Sequence, residues 1–154
     1  METAADMIRA LGLVPHPEGG HFREVYRAPV LGAARAPVTS IYYLLTAGER
    51  SHWHRIDAVE LWHHYGGASL LLRVSDDGRK IADWRLGRDI AADERPLGIV
   101  PEGVWQSAQS LGDWSLVGCT VAPAFDFAGF ELAPPGWAPG RAQSISRSTR
   151  KPKT

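Results

Sequence analysis

Apolar side chains follow a helical period only at the start of the chain. Met7, Ile8 and Leu11 share one face, Thr3 can cap the segment with Asp6 three residues on, and Gly12 suits a left-handed stop. One short helix is predicted there. Beyond Pro15 the period changes, and turn residues cut the chain into short pieces filled with β-branched and aromatic residues. Candidate strands are His21 to Arg27, Val38 to Thr46, Val59 to Tyr65, Ala68 to Val74, Arg79 to Leu86, Leu97 to Val100, Val104 to Ser110 and Trp114 to Val121. Asp76-Asp77-Gly78 reads as a hairpin turn, because Asp and Gly tolerate positive φ, and Gly66-Gly67 breaks another pair. Short strands at this spacing predict an all-β domain, a sandwich or barrel.

Pro134-Pro135-Gly136-Trp137-Ala138-Pro139-Gly140 ends the patterned region, since such a segment cannot extend a sheet. A chain of 154 residues suits one domain, placed at 1–139. Residues 140–154 carry five bases and no acid, which leaves −5 on the body of a formally neutral chain. That balance gives no general attraction to nucleic acid, and the basic tail is expected to be disordered. Cys119 is the only cysteine, so an intrachain disulfide and a thiolate zinc site are excluded for one chain. The N-terminus lacks signal-peptide features and no apolar run approaches the ~18 residues of a membrane span, so a cytoplasmic setting without membrane partners is expected.

The chemistry concentrates between residues 52 and 64, which hold four of the six histidines together with Glu60. Imidazole and carboxylate make either a metal site or a metal-free acid/base site. On a strand, Glu60, Trp62 and His64 point one way and Leu61, His63 and Tyr65 the other. An inward Glu60 would be a buried carboxylate, with His54, His64 or an arginine as partner. Histidines lining a polar pocket or a subunit interface without metal are the plainer alternative. His16 and His21 read as structural or surface residues, and Cys119 as a small buried one.

From about Leu11 to Leu132 the chain resembles the cupin superfamily, and within it the cupin_5 branch, described as similar to dTDP-sugar epimerases. Five pieces in order carry the resemblance: Pro17-Glu18-Gly19-Gly20-His21-Phe22-Arg23-Glu24; Ser40-Ile41-Tyr42-Tyr43-Leu44-Leu45; His54-Arg55 with Glu60-Leu61-Trp62-His63; Val100-Pro101-Glu102-Gly103-Val104-Trp105-Gln106; and Val117 through Phe127. It implies a small jelly-roll β-barrel and a homodimer. A typical metal cupin has a His-x-His pair, a Glu four or five positions after the second His, and a later His. With His52 and His54 as the pair, Glu60 falls one position late. With His54 as the first of the pair, Glu60 falls in place but Ile56 occupies the second ligand position. The second register is preferred, and Gln106 then stands where the last His would be. His54, Glu60 and Gln106 are the implied metal set, weak because an amide oxygen is a poor ligand for a borderline-soft ion. No cofactor is required on this reading; a divalent Zn, Fe, Mn or Ni is the alternative.

The resemblance also implies a pocket inside the barrel. His54, Glu60, Trp62, His64, Trp105 and Gln106 would line it, with Tyr42 or Tyr43 and Arg23 or Glu24 from neighbouring strands. His54, Glu60 and Tyr43 are expected as the catalytic groups, and Arg23, Glu24, Trp62, His64, Trp105 and Gln106 as ligand contacts. The implied ligand is a small polar molecule, sugar-like or a nucleotide-sugar, handled by metal-free epimerase-type proton transfer. A binding protein without catalysis and a metal-dependent oxygenase or isomerase are the two alternatives.

Overall fold

The computed structural model describes residues 2–32 and 34–140. The expected disorder of the tail from residue 141 lies outside the described residues.

Helix α1 spans Ala4–Leu11, capped reciprocally by Thr3 and Asp6 and stopped by Gly12 at φ 65°. Its Met7, Ile8 and Leu11 pack with Leu13, Leu44 and Leu116 on the outer side of a sheet. Eleven strands follow among the described residues: β1 (Val14–Pro15), β2 (His21–Arg27), β3 (Thr39–Thr46), β4 (Arg50–Ile56), β5 (Val59–Gly67), β6 (Leu70–Ser75), β7 (Ala82–Leu86), β8 (Leu97–Val100), β9 (Trp105–Ser110), β10 (Trp114–Ala122) and β11 (Phe130–Leu132). One sheet runs β1-β2-β3-β10-β5-β8 and the other β11-β4-β9-β6-β7, with every ladder antiparallel.

The all-β fold expected from the strand pattern is present, with one correction. The sheets share no strand and are not closed into a barrel; a single bridge between Leu86 and Arg95 brings the β7 and β8 edges together without a ladder. Tyr43, Leu45, Trp62, Leu70, Leu72, Leu86, Val117 and Cys119 fill the space between the sheets. Alternation on β5 is as the pattern requires: Glu60, Trp62 and His64 are buried, while Tyr65 on the other face is exposed.

Strand β4 was not among the sequence candidates. Its buried positions are Ser51, Trp53, His54 and Ile56, which break the two-residue alternation. A register shift against β9 between Ser51 and His54 accounts for this, because a bulge turns consecutive side chains to the same side. The bulge is what brings His54 inward beside Trp53.

Candidate functional site

Six strands, β1 through Val14 among them, and one turn converge on a cavity of about 780 Å³ between the sheets. Tyr43 comes from β3, His54 from β4, Glu60 from β5 and Cys119 from β10, all facing it, and β2 contributes Phe22, Arg23 and Glu24. The turn before β2 contributes His16 and Glu18. Exposed lining residues such as Arg27, Val30 and Phe127 mark where the cavity opens to solvent.

The turn explains the Pro-Glu-Gly-Gly motif. Gly19 has φ 109° and a Cβ there would sit 2.1 Å from the carbonyl oxygen of Arg50; Gly20 has φ 78° and would meet Leu44 O at 2.8 Å. Only glycine lets the turn lie this close to β3 and β4. The His52 backbone N–H donates to Glu18 O at 3.0 Å, fixing the turn on β4. Glu18 is thereby driven inward, its side chain only 8% exposed. Its Oε1 accepts from Ser51 Oγ at 2.8 Å, and its Oε2 lies 3.3 Å from His54 Nε2. The Tyr43 hydroxyl donates to Gly19 O and holds the turn from the other side.

The hydrogen bonds define where protons must be. His54 Nδ1 lies 2.8 Å from His52 O, and a carbonyl only accepts, so Nδ1 carries a hydrogen. Nε2 then faces Glu18 Oε2, and two lone pairs cannot meet at that distance without a proton between them. Burial pushes the Glu18 carboxyl up and His54 down, so the neutral pair is favoured, with the Glu18 O–H donating to Nε2. Glu60 is also buried. Desolvation raises it to about 7, against the lowering effect of His54 and with a further push from Glu18. Cys119 beside it is an inert thiol, pushed well up by burial and by both carboxylates. His16 is held low by burial, and its Nδ1 accepts from the Glu18 backbone N–H at 3.1 Å.

Gln106 has an orientation set by chemistry. Trp62 Nε1 can only donate, and it meets Gln106 Oε1 at 2.8 Å; the amide nitrogen therefore faces Glu60 Oε2, also at 2.8 Å. Its oxygen is spent on Trp62, so it is not available to an ion between His54 and Glu60. Among the described residues, no group of three or more His, Cys, Asp or Glu side chains is arranged to hold a metal. The implied set of His54, Glu60 and Gln106 does not fit a resident ion of the usual three or four protein ligands.

Of the residues expected at the pocket, Arg23, Glu24, Tyr43, His54 and Glu60 line the cavity, and Trp62, His64, Trp105 and Gln106 do not. Trp62 is core, 1% exposed, and reaches the site through Gln106 and an edge contact with the Tyr43 ring. His64 lies four residues further along β5, its Nε2 bonded to Ala68 O at 2.9 Å. Trp105 packs against Trp137, ring centroids 4.6 Å apart and planes tilted by 40°, under the Arg55 guanidinium, clamping the proline-rich segment after β11. Glu18, His16, Cys119 and Phe22 line the cavity without having been assigned to it. For Glu18 the signal was the double glycine behind it, which marks a turn pressed against another backbone.

The solved structures agree with this architecture. Protein SO0799 from Shewanella oneidensis is 35% identical with a TM-score of 0.86, over 99% of this chain and 100% of that one. A hypothetical protein from Leishmania major is 28% identical with a TM-score of 0.83, over 96% and 94%. Oxalate decarboxylase from Bacillus subtilis, a protein with Mn(II) centres, shares the fold at 18% identity and a TM-score of 0.59, over 77% of this chain and 29% of that one. No curated protein matches the chain, and the epimerase likeness drawn from the motifs gains no support from these neighbours. No helix among the described residues is long and apolar enough to cross a membrane. The family model described as Cupin superfamily (DUF985) matches residues 5–133, and the chain belongs to that family, Cupin_5.

Proposed function

We propose that this protein is an acid/base enzyme acting on a small molecule held in the cavity between its sheets. The observation that carries the reading is the Glu18–His54 contact at 3.3 Å beside a Glu60 carboxyl raised to about 7, all facing one solvent-connected cavity. A group titrating near 7 exchanges its proton in both directions at neutral pH, which suits a general acid and base. His54, with Nδ1 fixed by His52 O, shares the proton at Nε2 with Glu18, and that pair is the second proton store beside Glu60. Gln106 is a positioning residue for Glu60.

Tyr43 takes a different part from the proton donor expected of it. Its hydroxyl is given to Gly19 O and its acidity is suppressed by burial and by Glu18. It positions the turn. The ligand reading also narrows. A nucleotide-sugar brings two phosphates, and Arg27 and Arg35 at the mouth are already paired with Glu24 and Asp57 at 2.7 and 2.8 Å. The walls formed by Phe22, Ile41, Ile56, Val121 and Phe125 favour a small ligand with an apolar body and one polar, reacting end.

Proton transfer can be read without knowing the product. Incubating the protein in D2O with a panel of keto sugars, aldoses, amino sugars and keto acids should show loss of a C–H proton signal for one class. Glu60→Gln and His54→Ala should each abolish that exchange while the fold persists. Binding of a panel member with no exchange would make this a binding protein instead, and exchange that survives both substitutions would remove these residues from the reaction.

A further inference from the structure

The cavity is electrically lopsided. At its floor are two buried carboxyl groups, Glu18 and Glu60, and the charges acting most strongly on Glu60 are His54 and Glu18 itself. Among the described residues, no lysine lines the cavity. The three arginines that do are exposed and held outward: Arg23 donates to Leu11 O at 3.3 Å, Arg27 pairs with Glu24 and Arg35 with Asp57. Burial favours the protonated form of both carboxyls, and among the described residues no fixed cation at the cavity answers them, so an arriving positive charge is what would let them ionise.

The walls point the same way. Phe22, Tyr43 and Phe125 line the cavity, and the negative face of an aromatic ring attracts a cation, the more so where water is excluded. An ammonium carries only donors, and carboxyl oxygens have accepting capacity beyond the bonds that Ser51 makes to Glu18 and Gln106 makes to Glu60. A carboxylate or phosphate placed there would find no cation among the described lining residues and would oppose ionisation of Glu60.

We infer that the polar group received at the floor of this cavity is an organic ammonium carried on a small apolar or aromatic body. This rests on the acid/base reading of the site and names its ligand class: amines, amino sugars and related amino compounds rather than neutral sugars or acids.

Three isosteric probes test it on the full chain: benzylamine, benzyl alcohol and benzoate, with affinities measured by calorimetry or ligand-observed NMR near neutral pH. Benzylamine should bind about tenfold more tightly than either of the others. Glu60→Gln should remove that preference while leaving benzyl alcohol unchanged, and Glu18→Gln provides the same reading if the first variant fails to fold. Equal affinities, tighter benzoate, no binding of any probe, or a preference that survives both substitutions would overturn the inference. Its failure separates from that of the catalytic reading. Deuterium exchange confined to nitrogen-free compounds would sink the ammonium and keep the acid/base site, whereas an ammonium preference with no exchange of any compound would do the reverse.

Discussion

Buried carboxyl groups sit towards opposite ends of strand β5, Glu60 on the strand itself and Glu94 on the segment before β8, and they behave differently. At one end Glu60 faces a cavity with His54 and Glu18, and burial outweighs its hydrogen bonds, raising its carboxyl to about 7. Near the other end His64 lies close to Glu94, whose carboxylate accepts from Ser69 Oγ and from the Asp89 backbone N–H. Those bonds hold Glu94 below its ordinary range. Two hydrogen-bond donors, one from a backbone amide, make a carboxylate into a structural clamp between loops. A carboxylate in a desolvated cavity with one amide donor and a neutral imidazole is kept ready to change protonation. Residue type does not separate the two ends; the supply of donors does.

The largest disturbance of this contrast should come from the turn that delivers Glu18. Gly19→Ala places a Cβ 2.1 Å from Arg50 O at φ 109°, so the turn must move away from β4. A loss of about 3 kcal/mol in denaturant unfolding is expected, together with loss of the Glu18–His54 contact. Wild-type stability would mean that the turn is not wedged as described.

Next in size is the pH dependence of Glu60. Its folded value of about 7 lies above the ordinary 4.5, so the folded state binds more protons than the unfolded chain between those values. Stability from this group is therefore complete below about 4.5 and is lost as pH rises through 7, a swing on the order of 3 kcal/mol. His54 and His16, both held low by burial, act with the opposite sign: acidification below about 6.5 favours the unfolded chain. Comparing wild type with Glu60→Gln across pH isolates the carboxyl. The variant should gain relative stability towards alkaline pH, and parallel profiles would remove the raised Glu60 from the account.

The smallest effect belongs to the clamp. Because Glu94 is held low, its contribution is present above its unfolded value and fades as pH falls through the folded one. Glu94→Gln should lower the thermal midpoint slightly at neutral pH and not in strong acid. A pH dependence like that of Glu60→Gln would erase the distinction between the two ends.

Much of the fold was legible because hydrophobic alternation and turn residues act locally. The bounds of β2 and β8 follow directly from it, and so do the capped helix and the inward face of Glu60 and Trp62. Strand β4 was hidden because its bulge puts Trp53 and His54 on the same side, which no two-residue pattern can show. Within the site, His54 and Glu60 could be singled out by type and spacing. Glu18 could not, since it reaches the cavity through a turn whose position depends on contact with Arg50 and Leu44, distant in sequence. Trp105 and His64 were drawn to the site by proximity in sequence to its residues, whereas the ladders carry them to the clamp under Arg55 and to the Ala68 carbonyl.

The central claim is that a cavity-facing carboxyl titrates near neutrality, and it can be measured directly. Selective 13C labelling of glutamate side chains, with Glu60→Gln to assign the resonance, allows the Glu60 carboxyl to be followed by NMR across pH. A midpoint of about 7 is the result expected from its burial beside Glu18 and a neutral His54. A midpoint near the ordinary 4.5 would contradict it, leaving Glu60 a permanently ionised ligand contact with no part in moving a proton at neutral pH.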